Sequence, residues 1–305
     1  MLTYKYQDKG TVIHRLSPWS KLGWMASLVL PALIFNHPVY LLLLFLSTIP
    51  VVLVAKLSKE WVALMKFSLL LCVLIVVVNA LVSHQGSHVL LQAPFSAPVI
   101  GNLRVTLEGL GWGLGNSLRL LVIISAFTLL IFAIHPDDLM LALAKLKLPY
   151  KSLLISSLSA KFVPILVEDA QCIADVQRSR GLELDKGGRL RKARGYMAIG
   201  IPLLSNSMER AAGLAEAMES RGFGSGKRTL YKEMKLTRLE VLALIASLLP
   251  GGFGLAIHFL GFGGYQYYPV LQQVSFTGEE VILLLLWLLL LNSMLLVALG
   301  GHALD

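Results

Sequence analysis

The sequence predicts an all-α polytopic membrane protein with about six transmembrane helices, several of them kinked or short, and a cytoplasmic helical domain. Its 305 residues are 56% hydrophobic and only 15% charged, and the mean hydropathy is +0.71. This composition is typical of polytopic membrane proteins rather than of soluble globules. Long apolar runs alternate with short polar connections, and one long segment rich in lysine and arginine interrupts them.

Residues 1–134 are predicted to form an N-terminal membrane region of about four spans, after a basic cytoplasmic lead-in over 1–21. The four predicted spans run from Leu22 to Phe35, Val39 to Ala55, Val62 to Val82 and Ser117 to Ile134. The first two are shorter than the about 20 residues that a spanning helix needs. We interpret them as a hairpin around Asn36-His37-Pro38, with a re-entrant pair as the alternative. Residues 83–115 are interpreted as a polar outer loop whose later glycines mark close helix packing.

Residues 135–238 are predicted to be a cytoplasmic helical segment, and residues 239–305 a C-terminal membrane region of about two spans. The last two spans run from Leu239 to Phe259, broken or kinked around Pro250-Gly251-Gly252, and from Val281 to Leu299. The cytoplasmic segment opens with a predicted helix from His135 to Pro149, which has one apolar face and is expected to lie along the membrane surface.

The distribution of positive charge predicts the orientation. Of the 27 lysine and arginine residues, 18 lie between His135 and Arg238, and six more lie within 1–21 and at Lys56 and Lys59. Under the positive-inside rule, both termini and the 135–238 segment face the cytoplasm. The basic charge therefore reports topology, and no nucleic-acid partner is predicted. No acidic residue lies in the middle of a span, which argues against ion binding or proton relay within the membrane.

One short pattern occurs twice in the cytoplasmic segment. Each copy has an apolar entry around a proline, then a helix-length run, then Ser-Arg-Gly and a large apolar residue. The first copy passes Pro164 and ends Ser179-Arg180-Gly181-Leu182, and the second passes Pro202 and ends Ser220-Arg221-Gly222-Phe223. The copies are offset by 38 residues at the proline and 41 at the arginine. Two like elements that each end in a cation suggest a partner with two like sockets.

Each Ser-Arg-Gly has two interpretations. Glycine after the last helical residue is a common left-handed helix stop, and arginine in the last turn complements the helix dipole, so the motif is a plain C-cap. Alternatively, an exposed guanidinium grips a partner carboxylate while the next apolar residue fits a groove. The duplication favours docking. Small residues between Met208 and Met218 further predict that the two repeat helices touch.

At these residues the chain resembles the transmembrane (T) component of energy-coupling factor transporters, the family that contains the cobalt and biotin transport permeases. His14 to Leu22 is similar to the family's amino-terminal pattern, with Ser17 in place of Asp and Trp19 in place of Arg. Further similar stretches are Pro136–Pro149, Lys161–Pro164, Ser207–Ala211 and Ala217–Phe223. The family pattern at the two helix ends is Ala-Arg-Gly, so Ser179 and Ser220 replace alanine.

The resemblance implies a non-catalytic subunit of an ATP-driven importer in a prokaryotic inner membrane. Its two coupling helices would cross, and Arg180 and Arg221 would each enter a groove on one subunit of an ATPase homo- or heterodimer. The implied coupling residues are Ser179, Arg180, Gly181, Ser220, Arg221 and Gly222, with support from Leu182, Glu209, Arg210 and Phe223. The partner ATPases would bind ATP and Mg, this chain would bind no cofactor, and a small substrate-binding membrane protein would carry a vitamin or metal ion.

Two other functions stay open as alternatives. A conventional ABC importer permease would carry one coupling loop of the Glu-Ala-Ala type, which Glu209-Arg210-Ala211-Ala212 only vaguely resembles. An integral membrane enzyme would need a cluster of catalytic groups near the membrane surface. Glu168, Asp169 and Asp175 are the nearest acids, but they are interpreted as one solvated helix face.

Two motifs are interpreted as chance matches. The segment from Gly222 to Thr229 resembles a phosphate loop, but three residues precede its Gly-Lys where four are needed, and Arg228 follows the lysine. His84 and His88 have the spacing of metal ligands on a helix, but Gly86 lies between them and no third ligand is apparent. No metal site is predicted.

Overall fold

A computed structural model describes residues 9–82, 86–97, 101–135, 138–139, 142, 150–182, 188–225 and 237–302. The chain divides into two compact units. The first comprises residues 1–139 and 235–305, and the second comprises residues 140–234. The predicted surface helix from His135 to Pro149 lies mostly outside the described residues.

The described residues of the first unit are helical apart from one strand pair. Its elements are α1 (Val12–Arg15), α2 (Pro18–Ile34), α3 (Pro38–Val54), α4 (Ser58–Val82), β1 (Val89–Ala97), β2 (Gly101–Thr106), α5 (Leu107–Ala133), α8 (Arg238–Phe259), α9 (Gly278–Leu291) and α10 (Ser293–His302). The second unit contributes α6 (Tyr150–Ser179) and α7 (Arg189–Ser220). The predicted all-α membrane class is confirmed.

Three described helices, α4, α5 and α8, are long and apolar enough to cross a membrane. A fourth span exists if α9 and α10, which are bent by 41° at Asn292, count as one. The sequence predicted one last span from Val281 to Leu299, without locating the bend at Asn292. The first two predicted spans are α2 and α3, which have 17 residues each. They are shorter than the bilayer core requires of a straight helix, as the apolar runs indicated.

The α2–α3 hairpin is closed by caps and by a basic residue of α5. Proline is the first residue of both helices, where its missing N–H costs nothing. Arg119 donates from Nε to Ala32 O at 2.8 Å and from Nη2 to Phe35 O at 3.0 Å. A guanidinium at these last carbonyls also favours the negative end of the α2 dipole. Arg119 of α5 therefore stabilises the C-terminal end of α2.

The predicted outer loop over 83–115 is wrong in part. Strands β1 and β2 pair antiparallel within it, and α5 begins at Leu107, ten residues before the predicted Ser117. Thr106 caps that helix by accepting from Gly109 N at 3.2 Å. The glycines hid the helix because each lowers helix propensity. Their predicted packing role is confirmed at Gly113, where a Cβ would stand 3.0 Å from the Val76 Cα of α4.

Helix α8 runs unbroken through Pro250, where a break or kink was predicted. Proline cannot donate to the carbonyl four residues earlier, which belongs to Ala246. Ser293 supplies the missing donor, with its Oγ 2.8 Å from Ala246 O. Trp287 Nε1 donates to Pro250 O at 2.9 Å. A serine of α10 thus satisfies the carbonyl that the proline leaves without its helical donor.

A buried lysine joins the N-terminal motif to the end of α5. Lys21 is 4% exposed, and its Nζ donates to His14 O at 2.9 Å and to Ala133 O at 2.8 Å. A lysine that lies this deep must have its donors satisfied, because an unpartnered buried ammonium is costly. The motif from His14 to Leu22 therefore has a structural function in holding the C-terminus of α5.

Candidate docking site at two helix ends

The end of α6 has the hydrogen bonding of a Schellman motif. Gly181 N donates to Arg178 O at 2.9 Å, and Leu182 N donates to Gln177 O at 3.0 Å. Gly181 has φ +88°, the left-handed conformation that this stop requires. The arginine of the motif, Arg180, is therefore the C-cap residue.

The end of α7 repeats this geometry residue by residue. Gly222 N donates to Glu219 O at 2.9 Å, Phe223 N donates to Met218 O at 2.9 Å, and Gly222 has φ +70°. Arg221 is the C-cap residue of α7, as Arg180 is of α6. The sequence repeat is thus a structural repeat that places both arginines at equivalent positions.

A third helix end separates the capping requirement from the arginine. Helix α8 ends with the same bonds, from Gly261 N to His258 O and from Phe262 N to Ile257 O, and Gly261 has φ +89°. Its C-cap residue is Leu260. The cap therefore needs glycine at the next position but does not need arginine. The hydrogen bonds of the cap account for Gly181 and Gly222 but do not require an arginine at either helix end.

Both arginines are exposed. Among the residues that the structure describes, no side chain or carbonyl accepts a hydrogen bond from the guanidinium of Arg180 or Arg221. Arg178, two residues before Arg180 on the same helix, instead pairs with Asp175 at 2.9 Å. The two motif arginines thus present their full donor sets at the ends of their helices.

The hydroxyl groups of the two motif serines are bonded to their own helices. Ser179 Oγ donates to Asp175 O at 2.9 Å, and Ser220 Oγ donates to Ala217 O at 3.0 Å. Each hydroxyl is therefore satisfied by its own helix, which is a frequent arrangement for serine in a helix. Because the hydroxyl is turned back, each serine offers a partner little more than an alanine would.

The apolar residues after the glycines differ in burial. Phe223 is 45% exposed, while Leu182 is half-buried. Glu209 is exposed, and the neighbouring Arg210 bonds across to the other helix, with its Nη2 2.9 Å from Asp169 Oδ2. This cross-helix pair was not predicted, because the sequence does not show which residues of two helices face each other.

Helices α6 and α7 pack against each other, which confirms the predicted contact. The prediction that the small residues of α7 make this contact is wrong. The small residues of α7 are exposed, and a Cβ at Gly213 would have no atom within 4 Å. Two hydrogen bonds join the helices elsewhere, from Gln177 Nε2 to Ala198 O at 3.4 Å and from Arg210 to Asp169.

Comparison with known proteins identifies the family to which the chain belongs. Residues 9–232 match the protein family described as "Cobalt transport protein" (CbiQ). The chain is 33% identical over 266 residues to the "Energy-coupling factor transporter transmembrane protein EcfT" of Streptococcus thermophilus, an alignment that covers 81% of this chain and 94% of that protein. The chain belongs to the T-component family of energy-coupling factor transporters.

Other T components show the same extent of similarity. The EcfT of Lactococcus lactis subsp. cremoris is 30% identical over 258 residues, which cover 82% of this chain and 94% of that protein. The EcfT of Bacillus subtilis is 29% identical over 265 residues, which cover 81% of this chain and 94% of that protein. The family match spans both Ser-Arg-Gly motifs and the N-terminal motif around Lys21. The predicted family is confirmed.

The competing sites gain no support from the geometry of this T component. Within the described ranges, no group of three or more His, Cys, Asp or Glu side chains is placed to hold a metal ion. His88 Nδ1 lies 2.8 Å from Glu108 Oε1, and His84 lies outside those ranges, as do residues 226–229 of the phosphate-loop-like segment. Two of the three acids considered for an enzyme site form ion pairs instead, Asp169 with Arg210 and Asp175 with Arg178.

Proposed function

We propose that this T component docks two ATPase subunits through Arg180 and Arg221 and passes their ATP-driven motion to a separate small substrate-binding membrane protein. The observation that carries the proposal is the pair of identical helix ends, each with an exposed arginine at a position where the same cap elsewhere has leucine. A duplicated cation is the form expected of a surface that meets two like subunits.

The contact chemistry follows from the side chains. A guanidinium forms two parallel hydrogen bonds with a carboxylate, and this geometry gives both strength and orientation. The apolar residue after each glycine fills an adjacent groove. Each tip inserts into one subunit, so the two subunits of a homo- or heterodimer are gripped at once, and their closure moves α6 and α7.

The reaction chemistry belongs to the partners. ATP and Mg are bound by the ATPase dimer, and this chain hydrolyses nothing and holds no cofactor. The small membrane protein carries the cargo, a vitamin or a transition-metal ion. This division of work is supported by the name of the relatives, which describes a transmembrane protein of an energy-coupling factor transporter.

The location follows from charge and hydropathy. We propose that the chain lies in a prokaryotic inner membrane with several spans, with both termini and residues 135–238 on the cytoplasmic side. The support is the concentration of lysine and arginine in that segment and in residues 1–21. An ATPase that uses cytoplasmic ATP requires the arginine tips on that side.

The test is affinity co-purification from the native membrane followed by mass spectrometry. Wild type should bring down ATPase subunits and a small apolar protein. Arg180→Glu or Arg221→Glu should lower ATPase recovery about 30-fold or more, since removing one partner of a buried charge pair costs about 2–5 kcal/mol. The double variant should lose more.

The matched control is Arg178→Glu, the same charge reversal two residues before a tip, which should keep its ATPases because its exposed pair with Asp175 contributes little. Wild-type ATPase recovery in the Arg180→Glu/Arg221→Glu variant would reject the docking function and leave both motifs as helix caps.

A further inference from the structure

One ion pair joins the two helices of the second unit in its described part. Arg210 Nη2 of α7 lies 2.9 Å from Asp169 Oδ2 of α6. The two side chains are 38% and 29% exposed, so the pair is neither buried nor fully solvated. An ion pair this exposed adds little to the folding free energy. Its contribution therefore lies in the arrangement of α6 and α7 that it favours.

Asp169 and Arg210 occupy equivalent positions of the repeat. They are 41 residues apart, the same offset that separates Arg180 from Arg221. Each therefore lies 11 residues before its own motif arginine. Eleven residues make about three helical turns, so each member of the pair lies on the same face of its helix as the tip, about 16 Å along the axis from it.

The second contact between the helices gives their relative direction. Gln177 lies eight residues after Asp169, and its Nε2 donates to Ala198 O, 12 residues before Arg210. The helices therefore run antiparallel, and the two tips lie on opposite sides of the ion pair. With equal arms of about 16 Å, the tips are separated by up to about 33 Å, a distance fixed by where the helices meet.

Asp169 and Arg210 carry opposite charges although they occupy equivalent positions of the repeat. Where two copies of one element meet at equivalent positions, an identical charged residue in both copies would face its own like charge. Like charges in contact repel, whereas an acid and a base attract. The adjacent position shows the contrast, because Glu168 and Glu209 are identical in the two copies and both are exposed. The repeat has diverged in charge where the two copies meet.

We propose that Asp169 and Arg210 are positioning residues that hold α6 and α7 in the register that sets the separation of the two arginine tips. This inference rests on the proposed docking function and deepens it, because two sockets on one dimer accept only one tip separation. The ion pair acts through Arg180 and Arg221 and makes no contact with the ATPases itself.

The first measurement follows the tip separation in the purified full chain without any partner. Nitroxide labels at Ser179→Cys and Ser220→Cys, with Cys72→Ser and Cys172→Ser, report the distance by pulsed electron spin resonance. Asp169→Arg and Arg210→Asp should each broaden or shift the distribution. The double charge swap should restore it. Glu168→Arg, the same charge change one residue away, should leave it unchanged.

The second measurement uses the ATPase subunits that co-purify with the unlabelled chain. Each single reversal should lower their recovery about two- to fivefold, and the double swap should restore it. Unchanged distances in the single variants, or a double swap that fails to recover both readouts, would overturn the positioning function. If instead Arg180→Glu/Arg221→Glu keeps its ATPases while the distances still depend on the ion pair, the proposed docking function fails and the positioning inference stands.

Discussion

Gly181 and Gly222 end their helices directly after the two motif arginines. Both have a positive φ, which any residue with a Cβ adopts at a cost of about 1–2 kcal/mol. Space is not the constraint at Gly181, because a Cβ there would meet nothing within 4 Å. The glycine is needed for its backbone conformation alone, and this separates its function from that of the arginine beside it.

We expect Gly181→Ala and Gly222→Ala to fray the helix ends and to lower ATPase recovery, although the arginines remain. Recovery is measured by the same co-purification, and local fraying by hydrogen exchange of the last helical turn. Gly213→Ala is the matched control, because that glycine lies within α7 and has open space around it. It should stabilise the helix slightly. Equal recovery from Gly181→Ala, Gly222→Ala and wild type would show that the left-handed cap does not orient the tips.

The proline within α8 leads to a prediction about stability. Ser293→Ala removes the donor to Ala246 O, a carbonyl that Pro250 already leaves without its helical partner. The free energy of unfolding should fall by about 1–3 kcal/mol, the cost of an unsatisfied buried polar group. Thermal unfolding in detergent measures it.

Ser68→Ala is the control for this prediction, because Ser68 donates to Met65 O within its own helix. It should lower the stability much less. Equal losses in the two variants would show that Pro250 needs no partner from α10.

The N-cap of α3 predicts a pH dependence. His37 accepts from Val39 N at 3.2 Å through Nδ1, and burial lowers the pKa of His37 below its ordinary 6.5, with the Glu280 carboxylate offsetting part of the shift. A lowered folded pKa means that stability is fully present above pH 6.5 and is lost as the pH falls through the folded pKa.

Thermal unfolding between pH 7.5 and pH 5 tests this. His37→Asn keeps an N-cap acceptor without a titrating group, so its stability should fall less over the same range. If wild type and His37→Asn lose equal stability on acidification, the titration of His37 does not control this helix end.

Sequence patterns gave most helices and both helix ends of the candidate site, because apolar runs and Ser-Arg-Gly are local signals. They missed the β1–β2 pair and the early start of α5, because glycine and proline masked the periodicity over 83–115. They also missed the bend at Asn292, where Asn292 and Ser293 interrupt an otherwise apolar run. The pair of Asp169 and Arg210 could not be predicted, since it depends on how two helices meet.

The orientation of the chain in the membrane can be tested with its own cysteine residues. Cys172 is exposed in the second unit, and Cys72 is buried in α4. If residues 140–234 are cytoplasmic, a membrane-impermeant maleimide should label Cys172 in inverted vesicles and not in spheroplasts. Mass spectrometry of the labelled chain reads the result.

The control is Ser275→Cys in a Cys172→Ser background, between α8 and α9, which should label with the opposite preference. Labelling of Cys172 from outside would place the arginine tips on the side without ATP and contradict the orientation.

The most direct test of the docking claim is site-specific photo-cross-linking in the native membrane. A photoreactive amino acid replaces Ser179 in one variant and Ser220 in another, each beside a motif arginine, and a third variant has it at Gly213 as an exposed control. We predict adducts to ATPase subunits from both serine positions and none from Gly213. Adducts from neither serine position, or the same adducts from Gly213, would contradict the claim that the two arginine tips dock the ATPases.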